Sequence, residues 1–265
     1  MKKINIWLMG GFGNVLFHLF LAHLLQKKGN IVTLCTLLTQ KNIITKLLGW
    51  TIHDSLYHDL KGSINTKRGS IFPLLLLPLS TKIDIGREYS FFYRSLDNIL
   101  DNPSSNIFGY FQLKGFLEKN KKELVFFSQG IAKRITKDIP KETIMNTKQA
   151  CIHIRLGDSG WAKDNIDYYT KALETLPDNM GITVVTDSPQ DAKNLLSSYN
   201  VSFSKGGNAL EDFYLLFSSD IIICAPSTFS WWAIHCSSNA KKIVMPQSLH
   251  DKLGSYIDSG EIILI

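Results

Sequence analysis

The sequence contains no apolar run long enough to cross a membrane. Its densest apolar segment, residues 71–79, is short and contains Pro73 and Pro78, whereas a spanning helix needs about 20 consecutive apolar residues. Lys2 and Lys3 are followed by apolar residues, but glycines and histidines interrupt the stretch, so it does not match a signal peptide. We expect no transmembrane helix and a cytoplasmic location.

Cysteine is scarce and shows no ligand or disulfide spacing. No two of the four cysteines form a C-x-x-C pair, and three of them lie in apolar, strand-like stretches. This pattern predicts reduced thiols in the core and argues against a disulfide-rich secreted domain. The cysteines are Cys35, Cys151, Cys224 and Cys236.

Three ligand-binding signatures are also missing. The chain has no Asp-x-Asp pair and no His/Cys cluster with ligand spacing, so no residues are evident that would hold a divalent cation. The glycine turn at residues 10–13 lacks the third glycine of a dinucleotide fingerprint, and no Gly-Lys-Ser/Thr sequence completes a P-loop. We therefore expect neither a metal site nor a bound cofactor.

Charge divides the chain into a basic and an acidic part. Residues 1–150 hold 21 Lys and Arg against 10 Asp and Glu, a balance of +11, and residues 151–265 hold 8 against 13, a balance of −5. Residues 114–148, which are predicted to form two helices, hold nine basic and four acidic residues. The asymmetry favours a surface facing phosphates, nucleic acid or anionic lipid, with a solvated lysine-rich face as the alternative.

The N-terminal part begins as a β-α-β unit. The apolar pattern predicts a strand at Ile4–Met9, a glycine turn, a helix at Asn14–Lys28 and a second strand from Ile31. The pattern weakens over residues 43–100, where a helix at Glu88–Leu100 is expected, and Asn106–Gln112 is predicted to be a strand with an internal glycine.

Residues 148–265 alternate strands and helices without interruption, which predicts a parallel sheet with helices on both faces. The predicted strands are Ala150–Ile154, Ile182–Thr186, Val201–Ser204, Asp220–Cys224 and Lys242–Met245, and the predicted helices are Tyr168–Leu176, Gln190–Tyr199, Leu210–Phe217 and Phe229–Ser237. The chain is therefore predicted to form two α/β domains, residues 1–147 and 148–265.

Arg155 directly follows the first strand of the second domain and precedes a Gly157-Asp158 turn. Ligands of open parallel sheets bind at the carboxyl ends of the strands, and the guanidinium fork suits the paired oxygens of a phosphate. A surface salt bridge beside an ordinary turn is the alternative for Arg155.

Two more polar loops share this predicted edge, Thr186-Asp187-Ser188 and Ala225-Pro-Ser227-Thr228-Phe229-Ser230. Ser227 and Thr228 are good helix N-cap residues, which is a purely structural explanation. A helix N-terminus with free N–H groups is also a phosphate site. Three such loops on one edge favour a ligand site.

Six short motifs occur in order along the chain: Gly10-Gly11-Phe12-Gly13-Asn14 with Phe17, Gly109-Tyr110-Phe111-Gln112, His153-Ile-Arg155-Leu-Gly157-Asp158, Tyr168-Tyr169-x-Lys171-Ala172, Thr186-Asp187-Ser188, and Ser227-Thr-Phe229-Ser230-Trp231-Trp232. Together they resemble the motifs of the bacterial α-1,2-fucosyltransferases, over residues 4 to about 246. The resemblance implies a glycosyltransferase-B fold, in which two Rossmann-like domains face a cleft.

The resemblance also implies the reaction. It is an inverting, metal-independent transfer of L-fucose from GDP-fucose to the 2-hydroxyl of a terminal galactose, in an O-antigen or other surface polysaccharide precursor. Residues 1–147 would face the acceptor glycan and residues 148–265 would bind the donor. Nucleic acid is not an expected partner, whereas the basic first half suggests peripheral association with an anionic inner membrane.

The resemblance and the chemistry of the reaction supply candidate site residues. Arg155 would stabilise the leaving diphosphate, Asn14 would face the fucose, and His18 is a candidate general base together with Asp54 and Glu88. The candidates for donor binding are Gly11, Gly13, His153, Asp158, Thr186, Asp187, Ser188, Ser227, Thr228, Phe229 and Ser230.

One position departs from the family pattern. The family commonly has a second Arg directly after the first, and here that position is Leu156. This departure bears on the donor, and the alternative within the same class is transfer of another sugar from a nucleotide donor. Alternatives from a different class are a non-catalytic protein that binds nucleotide or glycan, and a cytosolic protein that docks on anionic lipid.

Overall fold

A computed structural model of the chain describes residues 1–36, 60–61, 64–67, 96–140, 149–157, 164–205, 208–257 and 260–265. Most of the helix predicted at Glu88–Leu100 lies outside these residues, as do the candidate bases Asp54 and Glu88 and the donor-binding candidate Asp158. The chain divides into two compact units, Met1–Phe127 and Ser128–Ile265. No helix in the described ranges combines the length and hydrophobicity needed to cross a bilayer.

The first unit is built on a four-stranded parallel sheet in the order β3-β2-β1-β4. The strands are β1 (Lys3–Trp7), β2 (Ile31–Cys35), β3 (Asn65–Lys67) and β4 (Asn106–Ile107). Helix α1 (Phe12–Lys27) connects β1 to β2, which confirms the predicted β-α-β unit. Twelve of its 16 residues are buried, because the helix is apolar on all sides.

Helix α1 begins two residues earlier than predicted. Gly13 therefore lies in the first helical turn and not in the loop. The loop glycine that requires a left-handed backbone is Gly10, with a φ of 75°.

The strand predicted at Asn106–Gln112 is wrong beyond Ile107. Only Asn106 and Ile107 pair with β1. The backbone then turns, with φ of 139° at Gly109 and 58° at Phe111, and neither value is compatible with an extended strand. The ring of Phe108 stacks on that of Trp7, with 5.1 Å between ring centroids.

The described residues after β3 and before β5 include three helices: α2 (Leu96–Asp101), α3 (Lys114–Lys119) and α4 (Lys121–Asp138). The predicted pair of helices in residues 114–148 is confirmed by α3 and α4. Early in α4, Phe127 packs on Phe20 and His23 of α1, at centroid distances of 5.5 and 5.7 Å. These contacts explain why the first unit extends into α4.

The second unit is a six-stranded parallel sheet in the order β10-β9-β8-β5-β6-β7. Its strands are β5 (Gln149–Ile154), β6 (Gly181–Thr186), β7 (Ser202–Phe203), β8 (Ile221–Ile223), β9 (Lys242–Met245) and β10 (Glu261–Leu264). Its helices are α5 (Ile166–Glu174), α6 (Pro189–Leu195), α7 (Ala209–Ser218), α8 (Thr228–Cys236) and α9 (Gln247–Leu253). The predicted alternation and the α/β class are confirmed.

The strand order of the second unit locates a ligand edge. Counted from β5, the order is 3-2-1-4-5-6, in which the chain first adds strands on one side of β5 and then returns to the other side with β8. The reversal makes β5 and β8 a topological switch point, and loops that follow these two strands border a crevice at their carboxyl ends. All six residues of β5 are buried, as expected for a central parallel strand.

Helix α9 and strand β10 were not predicted from the sequence. β10 pairs in parallel with β9 from Glu261↔Lys242 to Leu264↔Met245. The chain enters β10 through Gly260, where φ is 96° and an added Cβ would lie 2.7 Å from the carbonyl oxygen of Ala240. Only glycine fits this close approach without strain.

Candidate functional site

The three polar loops predicted from the sequence follow neighbouring strands of the second sheet. Ile154 at the end of β5 pairs with Thr186 at the end of β6, and Ile152 pairs with Ile223 at the end of β8. The loops after β5, β6 and β8 therefore leave the same edge of the sheet. Arg155 stands on the central one of these loops and is partly buried.

Asp187 in the β6 loop accepts hydrogen bonds from the β5 loop. The backbone N–H groups of Leu156 and Gly157 donate to its Oδ1 atom, at 2.9 and 3.1 Å. A Cβ at Gly157 would lie 2.9 Å from Asp187 Oδ2, so glycine allows this close approach. Asp187 is predicted from the sequence to bind the donor, and in the structure its carboxylate holds the backbone next to Arg155.

His153 and Ser230 form a buried pair beside Arg155. His153 Nδ1 lies 2.6 Å from Ser230 Oγ, and the backbone N–H of Ala225 donates to the same Oγ at 3.1 Å. The Ser230 side chain has no solvent exposure. Ser230 thus contacts His153 and the β8 loop, and its hydroxyl is not presented at the surface.

The electrostatic environment keeps His153 neutral. Burial, followed by the positive charge of Arg155, lowers the pKa of the imidazole to about 4, and the Asp187 carboxylate opposes the shift. At neutral pH the ring therefore has one donor and one acceptor nitrogen. A neutral histidine adds no charge next to Arg155.

Helix α8 begins at the switch point. The Ser227 side chain caps it by accepting a hydrogen bond from Phe229 N at 3.1 Å. The ring of Phe229 packs on His153 and Phe213, both at 5.1 Å between centroids. The predicted residues Ser227, Thr228 and Phe229 therefore form the first turn of a helix whose amide dipoles point toward the crevice.

Two tyrosines contact backbone carbonyl groups at the same edge through their hydroxyls, a role that the sequence motif did not predict. The hydroxyl of Tyr168 lies 2.6 Å from the carbonyl oxygen of Cys224 and 3.2 Å from that of Val244. Tyr169 donates to the carbonyl oxygen of His153 at 3.4 Å. These bonds satisfy strand-end carbonyl groups from inside the fold.

The remaining predicted residues of the β6 loop form a local turn. Thr186 Oγ1 accepts a hydrogen bond from the backbone N–H of Ser188 at 3.1 Å, and Ser188 is the N-cap residue of α6. Both residues lie next to Asp187 at the sheet edge.

The candidates of the first unit gather around Asn14. Gln112 Nε2 donates to Asn14 Oδ1 at 2.9 Å, and Asn14 N donates to the carbonyl oxygen of Gly11 at 3.0 Å. A Cβ at Gly10 would overlap Asn14 Nδ2 and lie 3.1 Å from Tyr110 Cε1. The glycine turn and the β4 loop thus converge on the Asn14 amide.

His18 is fully enclosed. Its Nδ1 lies 2.7 Å from the carbonyl oxygen of Asn14, and its ring meets that of Phe111 edge-on at 5.3 Å. Burial lowers its pKa to about 4. The imidazole has no solvent exposure and contacts Asn14 and Phe111 in this structure. Its role as a general base, which requires access to the acceptor hydroxyl, stays a prediction.

A cavity of about 550 Å³ opens at the opposite edge of the second sheet. Its lining includes Asp220 and Lys241, which form an ion pair at 2.8 Å, and residues 177–180 before β6. These groups precede their strands. The cavity is therefore remote from the strand ends that border the crevice.

Comparison with solved structures identifies the fold class of the chain. A fucosyltransferase NodZ from Bradyrhizobium is 13% identical, with a TM-score of 0.52 over 92% of this chain and 94% of that chain. The E. coli heptosyltransferase WaaC with ADP is 9% identical, with a TM-score of 0.53 over 100% and 93%. At such identities the likeness shows the fold, and it is the predicted glycosyltransferase-B fold.

The family is defined by sequence. The model of glycosyl transferase family 11 matches residues 86–254, more than half of the chain, and the chain belongs to this family. The matched range includes every candidate of the second unit, from His153 to Ser230. No match is found among curated protein sequences.

Proposed function

We propose that this protein transfers L-fucose from GDP-fucose to the 2-hydroxyl of a terminal galactose, with inversion at the anomeric carbon and without a metal ion. The observation that carries the proposal is the placement of Arg155 directly after β5, on a loop at the same sheet edge as the β8 loop that leads into α8. Negative charge develops on the nucleoside diphosphate as the glycosidic bond breaks, and groups that stabilise it lower the barrier.

Three groups at the crevice suit a diphosphate. Arg155 supplies a planar cation, the N-terminus of α8 supplies amide dipoles, and His153 supplies a neutral ring beside both. We assign donor binding to residues 148–265 and acceptor binding to residues 1–147, with Asn14 facing the fucose.

Fucose and the α-1,2 linkage have different support. Fucose is supported by family membership, by the ordered motifs and by the similarity to NodZ. A second similar structure, also 13% identical to this chain, is that of the NodZ α-1,6-fucosyltransferase co-crystallized with GDP. The 2-hydroxyl of galactose therefore rests on the motif resemblance, as does the role in O-antigen or another surface polysaccharide.

Leu156 favours a second candidate function, transfer of another sugar from a nucleotide donor. Its side chain is 6% exposed and packs in the core with Tyr168 and Tyr169. The position where the family commonly has a second Arg therefore points into the protein, and no second cation is available there for the diphosphate. A non-catalytic protein that binds nucleotide or glycan would have the same crevice.

A screen of GDP- and UDP-sugars against galactose-terminated acceptors tests the proposal. We expect turnover of GDP-fucose that persists in EDTA, and an inverted fucosyl linkage to O2 in the NMR spectrum of the product. The matched control acceptor ends in 2-deoxygalactose and should accept no fucose. Equal transfer to this control would contradict the linkage, and preference for another donor sugar would establish the second candidate.

We also propose peripheral association with an anionic membrane, through one face of α4. Phe126 is 67% exposed on this helix. Lys122, Lys133 and Lys137 are exposed as well, and their spacing places them on the same helical face as Phe126. A large apolar ring among lysines is complementary to an anionic lipid surface.

A further inference from the structure

The hydroxyl of Ser230 has two polar contacts among the described residues. The Ala225 N–H donates to its oxygen at 3.1 Å, and His153 Nδ1 lies 2.6 Å away. The side chain has no exposure, so bulk solvent is not an alternative partner. A serine hydroxyl has one proton to donate and two lone pairs that accept.

These contacts determine where the protons lie. A backbone N–H can only donate, so Ala225 occupies one lone pair of the Ser230 oxygen. The Ser230 proton then needs an acceptor, and within the described ranges His153 Nδ1 is the one at hydrogen-bond distance. A proton on Nδ1 would leave the hydroxyl proton buried without an acceptor, which is unfavourable.

We infer that Ser230 holds His153 in the tautomer that carries its proton on Nε2, so that His153 presents an N–H donor to the crevice beside Arg155. No hydrogen-bond partner for Nε2 lies among the residues described, and the side chain keeps 7% exposure. Ser230 is thus a positioning residue that acts through His153. The inference rests on the proposed function only for the ligand, a nucleoside diphosphate.

The tautomer decides whether His153 attracts or repels that ligand. With the proton on Nε2, the ring donates a hydrogen bond to a phosphate oxygen. With the proton on Nδ1, the Nε2 lone pair would face the same oxygen. Ala225 and Ser230, which follow β8, therefore determine whether Nε2 of His153 on β5 is a hydrogen-bond donor or acceptor.

Nitrogen NMR of histidine-labelled protein tests the tautomer directly. We expect His153, identified by the signals lost in His153→Gln, to show a protonated Nε2 and an unprotonated Nδ1 at neutral pH. A protonated Nδ1 in the wild-type protein would overturn the inference. This result is independent of any sugar transfer, so it is distinguishable from failure of the proposed function.

Titration with GDP tests the ligand. We expect GDP to shift the Nε2–H signal of His153, and Ser230→Ala to weaken GDP binding by about tenfold, because a correctly oriented donor is lost. The matched control is Ser219→Ala, which removes a buried serine that donates to the carbonyl oxygen of Leu215 in the same unit. The control should keep both the His153 spectrum and the GDP affinity. Unchanged GDP affinity in Ser230→Ala would refute the positioning role.

Discussion

Arg155 is the residue on which the proposed reaction depends most. Its guanidinium would stabilise the departing diphosphate, so Arg155→Ala should lower the transfer rate by far more than tenfold while the protein stays folded. Arg155→Lys should recover little, because a point charge does not reproduce the two-pronged geometry. Initial rates with GDP-fucose and circular dichroism spectra measure the two effects.

The matched control for Arg155 is Arg134→Ala on α4, which should keep the wild-type rate. If Arg155→Ala retains more than about a tenth of the rate, the barrier has risen by less than about 1.4 kcal/mol. A loss that small would remove Arg155 from the role of principal cation.

The carboxylate of Asp187 could act in two ways, by accepting hydrogen bonds from the Arg155 loop or by its negative charge, and two variants separate them. Asp187→Asn keeps an acceptor oxygen for Leu156 N and Gly157 N, whereas Asp187→Ala removes it. We expect Asp187→Ala to lower the transfer rate at least tenfold, since the Arg155 loop loses two hydrogen bonds, and Asp187→Asn to retain most of the rate. Equal losses in both variants would mean that the negative charge itself acts on the donor.

At the scale of elements, α4 should determine membrane binding. Each lysine near an anionic surface contributes about 1 kcal/mol, so replacing Lys133 and Lys137 by Ala should weaken binding to phosphatidylserine vesicles by about thirtyfold. Phe126→Ser should weaken it further. Sedimentation with vesicles at low and high salt measures the effect, which salt should reduce.

The control for Phe126 is Ile166→Ser, which removes another exposed apolar side chain, on α5, where it is 43% exposed. This variant should bind vesicles as the wild type does. Binding that is unchanged between low and high salt would exclude an electrostatic contribution from α4.

The elements differ in how well the sequence predicts them. The alternation in the second unit is readable because central parallel strands are continuous apolar runs, as in β5. The β4 strand is shorter than predicted because Gly109 and Phe111 adopt positive φ, and an aromatic residue gives no sequence signal for such a backbone.

The site was predictable at the level of its loops. Arg155 and the polar residues after β6 and β8 follow from strand ends and helix caps. The roles of Asp187, Ser230 and Tyr168 did not follow, because each depends on hydrogen bonds between residues 31 to 77 positions apart. Composition and spacing do not report such contacts. The burial of His18 could not be predicted either, because a single histidine in an apolar helix is compatible with a core position and with a site position.

At the scale of the whole molecule, three buried histidines in the described ranges link stability to pH. Burial lowers the pKa of His18, His153 and His235 to about 4, below the usual value of 6.5. The unfolded chain therefore binds protons between pH 6.5 and 4 that the folded chain does not. The contribution of these histidines to stability is complete above pH 6.5, and each should remove about 1.4 kcal/mol per pH unit as the pH falls through this window.

Urea unfolding at several pH values measures that slope. His235→Gln should reduce the pH dependence of the free energy of unfolding by the contribution of one proton. An identical slope in His235→Gln and the wild type would show that His235 protonates equally in both states.

The most direct test of the central proposal is the release of GDP from GDP-fucose by the purified chain. We expect slow release from the wild type alone, faster release with a galactose-terminated acceptor, and almost none from Arg155→Ala. If the wild type releases no more GDP than Arg155→Ala under both conditions, the protein is not a GDP-fucose-dependent fucosyltransferase that uses this crevice.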